Sequence, residues 1–177
     1  MVTARDFYLD QLKRGMGGDL VKVVTGVRRC GKSFLLFNLF RDYLLGSGVK
    51  ESHLIGIALD DEENKPLCNL IALAEYIRRR IGRLKGLEYL FIDEIQLCYK
   101  ALPQGLDLSR VAKEDRPSCH VTFYDVLNEF RKRKDVDVYV TILSGEDFRL
   151  LSSICVRPLT TMEYCMSASS RFCLNGR

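Results

Sequence analysis

The stretch Lys22-Val23-Val24-Thr25-Gly26-Val27-Arg28-Arg29-Cys30-Gly31-Lys32-Ser33 constrains the fold more than any other part of this chain. A short β-branched run comes first, then G-x-x-x-x-G-K-S, then an apolar helix opening at Phe34. That is the form of a phosphate-binding loop (Walker A) in its expected setting, a strand before it and a helix after it. Gly26 and Gly31 let the backbone turn tightly and approach phosphate oxygens with no Cβ in the way. Backbone N–H groups and the helix N-terminus then offer partial positive charge to an anion. Lys32 is a mobile cation able to reach β- and γ-phosphates, and the Ser33 hydroxyl can ligate Mg²⁺. The expected nucleotide contacts are Gly26, Val27, Arg28, Arg29, Cys30, Gly31, Lys32, Ser33 and Phe34. A bare glycine-rich turn ahead of a core helix is the competing explanation, and the flanking strand and helix weigh against it.

A second motif supports the first. Leu87-Glu88-Tyr89-Leu90-Phe91-Ile92-Asp93-Glu94 is an apolar strand that delivers two adjacent acids at its C-terminal end, the form of a Walker B strand. Asp93 is expected to hold Mg²⁺, directly or through its water. Glu94 is expected to polarise the water that attacks the γ-phosphate. A hydrophobic run ending in Asp-Glu says little alone, since many core strands end in polar loops. Following a phosphate loop, with a strand and a helix between, it says much more.

The remaining pattern is that of an α/β domain. Met1 to Asp19 reads as a short helix, with Phe7, Leu9 and Leu12 apolar, leaning on the outside of the core. Phe34 to Leu45 is apolar on nearly all sides, which predicts a buried helix. His53 to Asp60 is a second strand whose continuous apolar run suits a parallel sheet covered on both faces. The acids Asp60 to Glu63 follow it, as a solvated loop or as groups that order metal-bound water. Asn69 to Ile81 keeps helical spacing, with Arg78-Arg79-Arg80 on its solvated side. Tyr99 to His120 shows no period. Val121 to Arg131 is a helix whose cationic end, Arg131 to Lys134, complements its dipole. Val136 to Leu143 is a fourth strand, and Ile154-Cys155-Val156 suggests a short fifth before Pro158. The domain is expected over residues 1–165, with an irregular tail over 166–177.

The totals exclude several classes. With 177 residues, 47% hydrophobic and 28% charged, the chain is sized for one domain with a real core. A net charge of +4 permits contact with nucleic acid without indicating it. Seven scattered cysteines with no C-x-x-C pair indicate neither a zinc site nor a disulfide framework. No secretory leader and no membrane-length apolar run is evident, so a cytoplasmic protein without a membrane partner is expected.

With both motifs placed, the sequence resembles a prokaryotic family of AAA-like ATPases. The likeness is carried by V-V-T-G-V-R-R-C-G-K-S at Val23 to Ser33 and by Leu35-Leu36-Phe37. It continues in Tyr89-Leu90-Phe91-Ile92-Asp93-Glu94-Ile95-Gln96 and Thr122-Phe123-Tyr124-Asp125-Val126-Leu127-Asn128, and extends to about Thr141. The resemblance implies a RecA-like, three-layer core with a mostly parallel sheet, and ATP with Mg²⁺ as ligands. It carries Lys32 and Glu94 over as catalytic residues and Ser33 and Asp93 as metal ligands. Two departures stand out. The family form V-T-G-S-N has a polar residue that senses the γ-phosphate, but here Val140-Thr141 is followed by Ile142-Leu143-Ser144-Gly145, and the later Arg-rich stretch is missing. Family members are also longer, so the chain reads as a truncated or frameshifted copy, prone to self-association through uncovered apolar surface.

The expected function is therefore Mg²⁺-dependent conversion of ATP and water to ADP and phosphate, slowed by those losses. A nucleotide-binding module without significant hydrolysis is one alternative. A small-molecule kinase sharing the loop is another, although adjacent Asp93 and Glu94 suit water activation better than a hydroxyl acceptor.

Overall fold

The computed structural model describes residues 4–102, 109, 112–143 and 156–161. Helix α1 (Ala4–Arg14) leads into strand β1 (Val21–Gly26), which ends in the phosphate-loop sequence. One continuous helical stretch follows over residues 32–46: α2 (Lys32–Phe34), a π-helical turn (Leu35–Phe40) and α3 (Arg41–Gly46). Strand β2 (Leu54–Ala58) precedes helix α4 (Leu70–Arg80), whose start is fixed by Asn69. The Asn69 Oδ1 accepts from the N–H groups of Ile71 at 3.0 Å and Ala72 at 3.3 Å, satisfying two of the donors a helix start leaves open. Strand β3 (Glu88–Asp93), helix α5 (Phe123–Arg131), strand β4 (Val136–Leu143) and strand β5 (Val156–Thr161) complete the order.

The strands form one sheet in the order β2-β3-β4-β1-β5, with every pairing parallel. The crossover from β1 to β2 runs one way along the sheet, and those from β2 to β3 to β4 run back. Crossovers of one hand running in opposite directions set their helices on opposite faces. Accordingly the 32–46 helix and α1 cover one face, and α4 and α5 the other. The result is a three-layer α/β domain.

Alternation along each strand separates two different cores. Val21 and Val23 of β1, Leu90 and Ile92 of β3, and Val138, Val140 and Ile142 of β4 point into an aliphatic layer under α4 and α5. The intervening positions, Val24, Tyr89, Phe91 and Tyr139, meet Tyr8, Leu12, Leu36, Phe40 and Leu44 on the other face. That layer is aromatic: the Phe40 ring lies 4.8 Å from Tyr139 and 5.8 Å from Phe91, centroid to centroid. The wider π turn suits the four-residue spacing of Leu36, Phe40 and Leu44, which all reach the sheet. Gly56 of β2 lets this helix approach, since a Cβ there would stand 2.9 Å from Phe37 Cε1.

Several expectations change in detail. The helix after the loop is not buried all round: Phe34 is 45% exposed. Helix α1 belongs to the core, but through Tyr8 and Leu12, whereas Phe7 is exposed. The run Arg78-Arg79-Arg80 is exposed as expected, and within it Arg78 also makes two surface hydrogen bonds of 2.6 Å to Glu129 of α5. Strand β5 runs through Pro158 rather than ending before it. It is an edge strand, where proline is tolerated, and it carries a bulge. The two steps from Val23 to Thr25 face three, from Pro158 to Thr161. The tail over 166–177 and residues 144–155 lie outside the described residues. Among the described residues, no helix is long and apolar enough to cross a membrane.

At the end of the sheet away from the loop, Lys22 and Asp137 form a fully buried ion pair. Lys22 Nζ also donates to Gly18 O at 2.8 Å. Asp137 Oδ2 accepts from the Gly17 N–H and the Tyr139 hydroxyl, each at 3.0 Å. The pair thus locks the turn between α1 and β1 onto β4. Removing one partner of such a pair strands the other charge, which costs about 3–5 kcal/mol, whereas replacing both by apolar groups is often near neutral. Lys22→Met should therefore lose about 3–5 kcal/mol in denaturant unfolding. Lys22→Met combined with Asp137→Leu should recover most of it. A double variant as unstable as the single one would show that the pair is worth more than its desolvation.

Candidate functional site

In an open parallel sheet the ends of strands carrying helices on opposite faces leave a crevice at their carboxyl edge, where ligands bind. Here that edge holds the loop after β1, the acids closing β3 and the last residues of β4. The loop curls through two left-handed residues, Arg29 at φ 64° and Gly31 at φ 94°. Left-handed residues inside a turn make successive N–H groups converge into an anion-binding hollow. Gly31 is also the N-cap of α2 and, being glycine, supplies no side-chain hydrogen bond to the first turn of that helix. Val27, Arg28, Arg29, Gly31, Ser33 and Phe34 are exposed, and Cys30 is half-buried.

Lys32 is different, being 3% exposed. Its Nζ donates to the carbonyls of Gly26 and Val27, both at 3.2 Å, and lies 3.6 Å from Glu94 Oε1. An ammonium has three N–H donors. Two are spent within the loop, and the remaining direction faces the acid delivered by β3.

Asp93 is 2% exposed and is held by two hydroxyls, those of Ser33 and Thr141. Burial pushes its carboxyl above the usual range, the two hydroxyl hydrogen bonds oppose that, and the carboxylates of Glu94 and Asp60 add to the rise. Thr141 does two jobs: its hydroxyl donates to Asp93, and its oxygen accepts from the Glu94 N–H at 2.9 Å. Glu94 sits at φ 53°, a conformation uncommon outside glycine, and caps a short 3₁₀ turn (Ile95–Leu97). The turn brings the Gln96 amide back onto the Glu94 carboxylate.

The structure thus gathers Lys32, Ser33, Asp93 and Glu94 at one edge of the sheet, although the first and last pairs lie far apart in sequence. Thr141 and Gln96 received no role from the sequence. A polar residue in a buried strand marks Thr141, but only the register of β4 beside β3 reveals what it bonds. Among the described residues no three His, Cys, Asp or Glu side chains cluster as a metal site.

This arrangement agrees with comparison to known sequences. The profile of a family described as "AAA domain" matches residues 19–143, the span from the turn before β1 to the end of β4. The chain belongs to that family. An uncharacterized protein of Haemophilus influenzae is 27% identical over 170 residues, covering 91% of this chain and 37% of its own length. The chain therefore spans little more than a third of that relative. As an AAA domain with this core, it is a P-loop, ATPase-like nucleotide-binding domain.

The raised carboxyl of Asp93 has a consequence for the free protein. The folded chain holds that proton more tightly than the unfolded chain, so ionising it costs stability. Its contribution is intact below the ordinary aspartate value of 3.8 and is lost as pH rises through the raised value. Without nucleotide, Asp93→Asn should therefore melt above wild type near neutral pH, by roughly 2–4 °C for each kcal/mol gained in a chain of this size. The gap should close as the pH approaches 3.8. Thermal unfolding across that range checks it, and an Asn variant less stable at neutral pH would refute the account.

Proposed function

We propose that this AAA domain binds ATP with Mg²⁺ and hydrolyses it to ADP and phosphate. The observation that carries the reading is the convergence of Lys32 Nζ and Glu94 Oε1 to 3.6 Å, which joins the loop to the end of β3. In this reading the N–H groups of the loop from Val27 to Ser33 bind the β- and γ-phosphates. Lys32 turns from the Gly26 and Val27 carbonyls toward them. Phe34, exposed just beyond the loop, lies within the nucleotide-contacting stretch. Glu94 accepts the proton of the attacking water.

Ser33 and Asp93 are the pair that would hold Mg²⁺. Their hydrogen bond places a hydroxyl and a carboxylate together, and Mg²⁺ in such sites takes one or two protein oxygens, phosphate oxygens and water. Bound there, the ion would supply charge neutralisation for the phosphate oxygens. Thr141 keeps Asp93 and Glu94 in fixed relation, so one acid serves the metal while its neighbour serves the water.

Turnover by this chain alone should be slow. Ile142-Leu143-Ser144-Gly145 offers no Asn where the resembled family places its γ-phosphate sensor. Phosphoryl transfer depends mainly on positioning and charge stabilisation, and an arginine contribution alone can be worth about 10³–10⁵ in rate.

Titration of a fluorescent ATP analogue tests binding. Lys32→Ala should lose about 1.5–3 kcal/mol of triphosphate affinity, the net worth of a charge-assisted contact. Equal affinity in both proteins would refute the site. Glu94→Gln should bind ATP as wild type does while phosphate release falls about 10²–10⁴-fold. Release from wild type no faster than from Glu94→Gln would leave a nucleotide-binding module without hydrolysis.

A further inference from the structure

We propose that Gln96 is a positioning residue for the carboxylate of Glu94, an inference that rests on the ATPase reading above. Glu94 needs an external hold. Its backbone is left-handed, its side chain is only partly buried, and its contact with Lys32 at 3.6 Å is a loose ion pair rather than a hydrogen bond. In the proposed reaction Lys32 turns to the phosphates, and that contact goes. Among the described residues, the Gln96 Nε2, donating to Glu94 Oε2, is the side-chain partner that remains.

The direction of the amide follows from chemistry. A carboxylate only accepts, so the NH₂ end of Gln96 must face it and the carbonyl end must face away. That carbonyl, Oε1, is buried and has no hydrogen-bond partner among the described residues. An unsatisfied buried acceptor costs stability, so a residue needed only to fill this space would be better apolar. The amide is retained for its donor. It uses one of about four acceptor positions on the carboxylate and leaves others open to a water. The short 3₁₀ turn makes the contact possible, because Leu97 N–H donates to Glu94 O at 2.9 Å and folds residue 96 back over residue 94.

The test is single-turnover hydrolysis, with protein in excess over Mg²⁺·ATP, alongside affinity for a fluorescent ATP analogue. Gln96→Leu and Gln96→Glu are compared with wild type and Glu94→Gln. Gln96→Leu should keep its nucleotide affinity and hydrolyse about 10–100-fold more slowly, the scale of a base displaced by an ångström or less. The isosteric Gln96→Glu should be at least as slow above neutral pH, since it replaces a donor by a like charge. Its rate relative to wild type should climb as pH falls and its carboxylic acid becomes able to donate. A residue serving only to pack would leave Gln96→Leu, which fills the same space without a donor, close to wild type. If Gln96→Leu fails to fold, Gln96→Met, equally without a donor, takes its place. Wild-type rates in the Gln96 variants, with Glu94→Gln slow, overturn this inference and leave the ATPase reading standing. Wild type no faster than Glu94→Gln overturns both.

Discussion

A carboxylate taken out of water is the constraint to which the working end of this domain adapts. Asp93 closes a fully buried strand and is itself almost inaccessible. An ionised group in such a place needs hydrogen bonds or opposite charge nearby, or it keeps its proton. The fold answers from two directions. The Ser33 hydroxyl comes from the start of α2, just after the loop, and the Thr141 hydroxyl from β4. Those same contacts tie the phosphate loop, the β3 terminus and the β4 terminus into one unit. The site's geometry and the compensation of Asp93 are the same set of bonds.

Strand β4 shows how one short run of sequence meets three demands at once. Its odd-numbered members Asp137, Tyr139 and Thr141 face the aromatic layer, and Val138, Val140 and Ile142 face the aliphatic one. Asp137 anchors Lys22 at the far end, Tyr139 fills the space under Phe40, and Thr141 holds the two acids. The even positions supply buried hydrocarbon to the aliphatic layer. The odd positions each have a named partner in another element.

The sequence made the strands and their parallel pairing legible, because continuous apolar runs and helical spacing report burial directly. The bounds of β4 were read without error and those of β3 within a residue. The phosphate-loop residues and the two acids were legible as motifs. What escaped was whatever depends on which strands are neighbours. Nothing in the linear chain says that β4 lies between β1 and β3, so Thr141 looked like any threonine in a strand. Gln96 was hidden for another reason, since its contact depends on the left-handed turn at Glu94. The apolar composition of Phe34 to Leu45, on nearly all sides, predicts a buried helix. It lies on one layer only, so Phe34 remains exposed.

The two-faced character of β4 also governs which changes this gene can absorb. A substitution at one position alters one contact. The loss or gain of a single codon inside the strand would move every later residue to the opposite face. Thr141 would enter the aliphatic layer without its acids, and Ile142 after a loss, or Val140 after a gain, would face Asp93. The stretch from Asp137 to Thr141 should therefore vary among descendants by replacement and almost never by length.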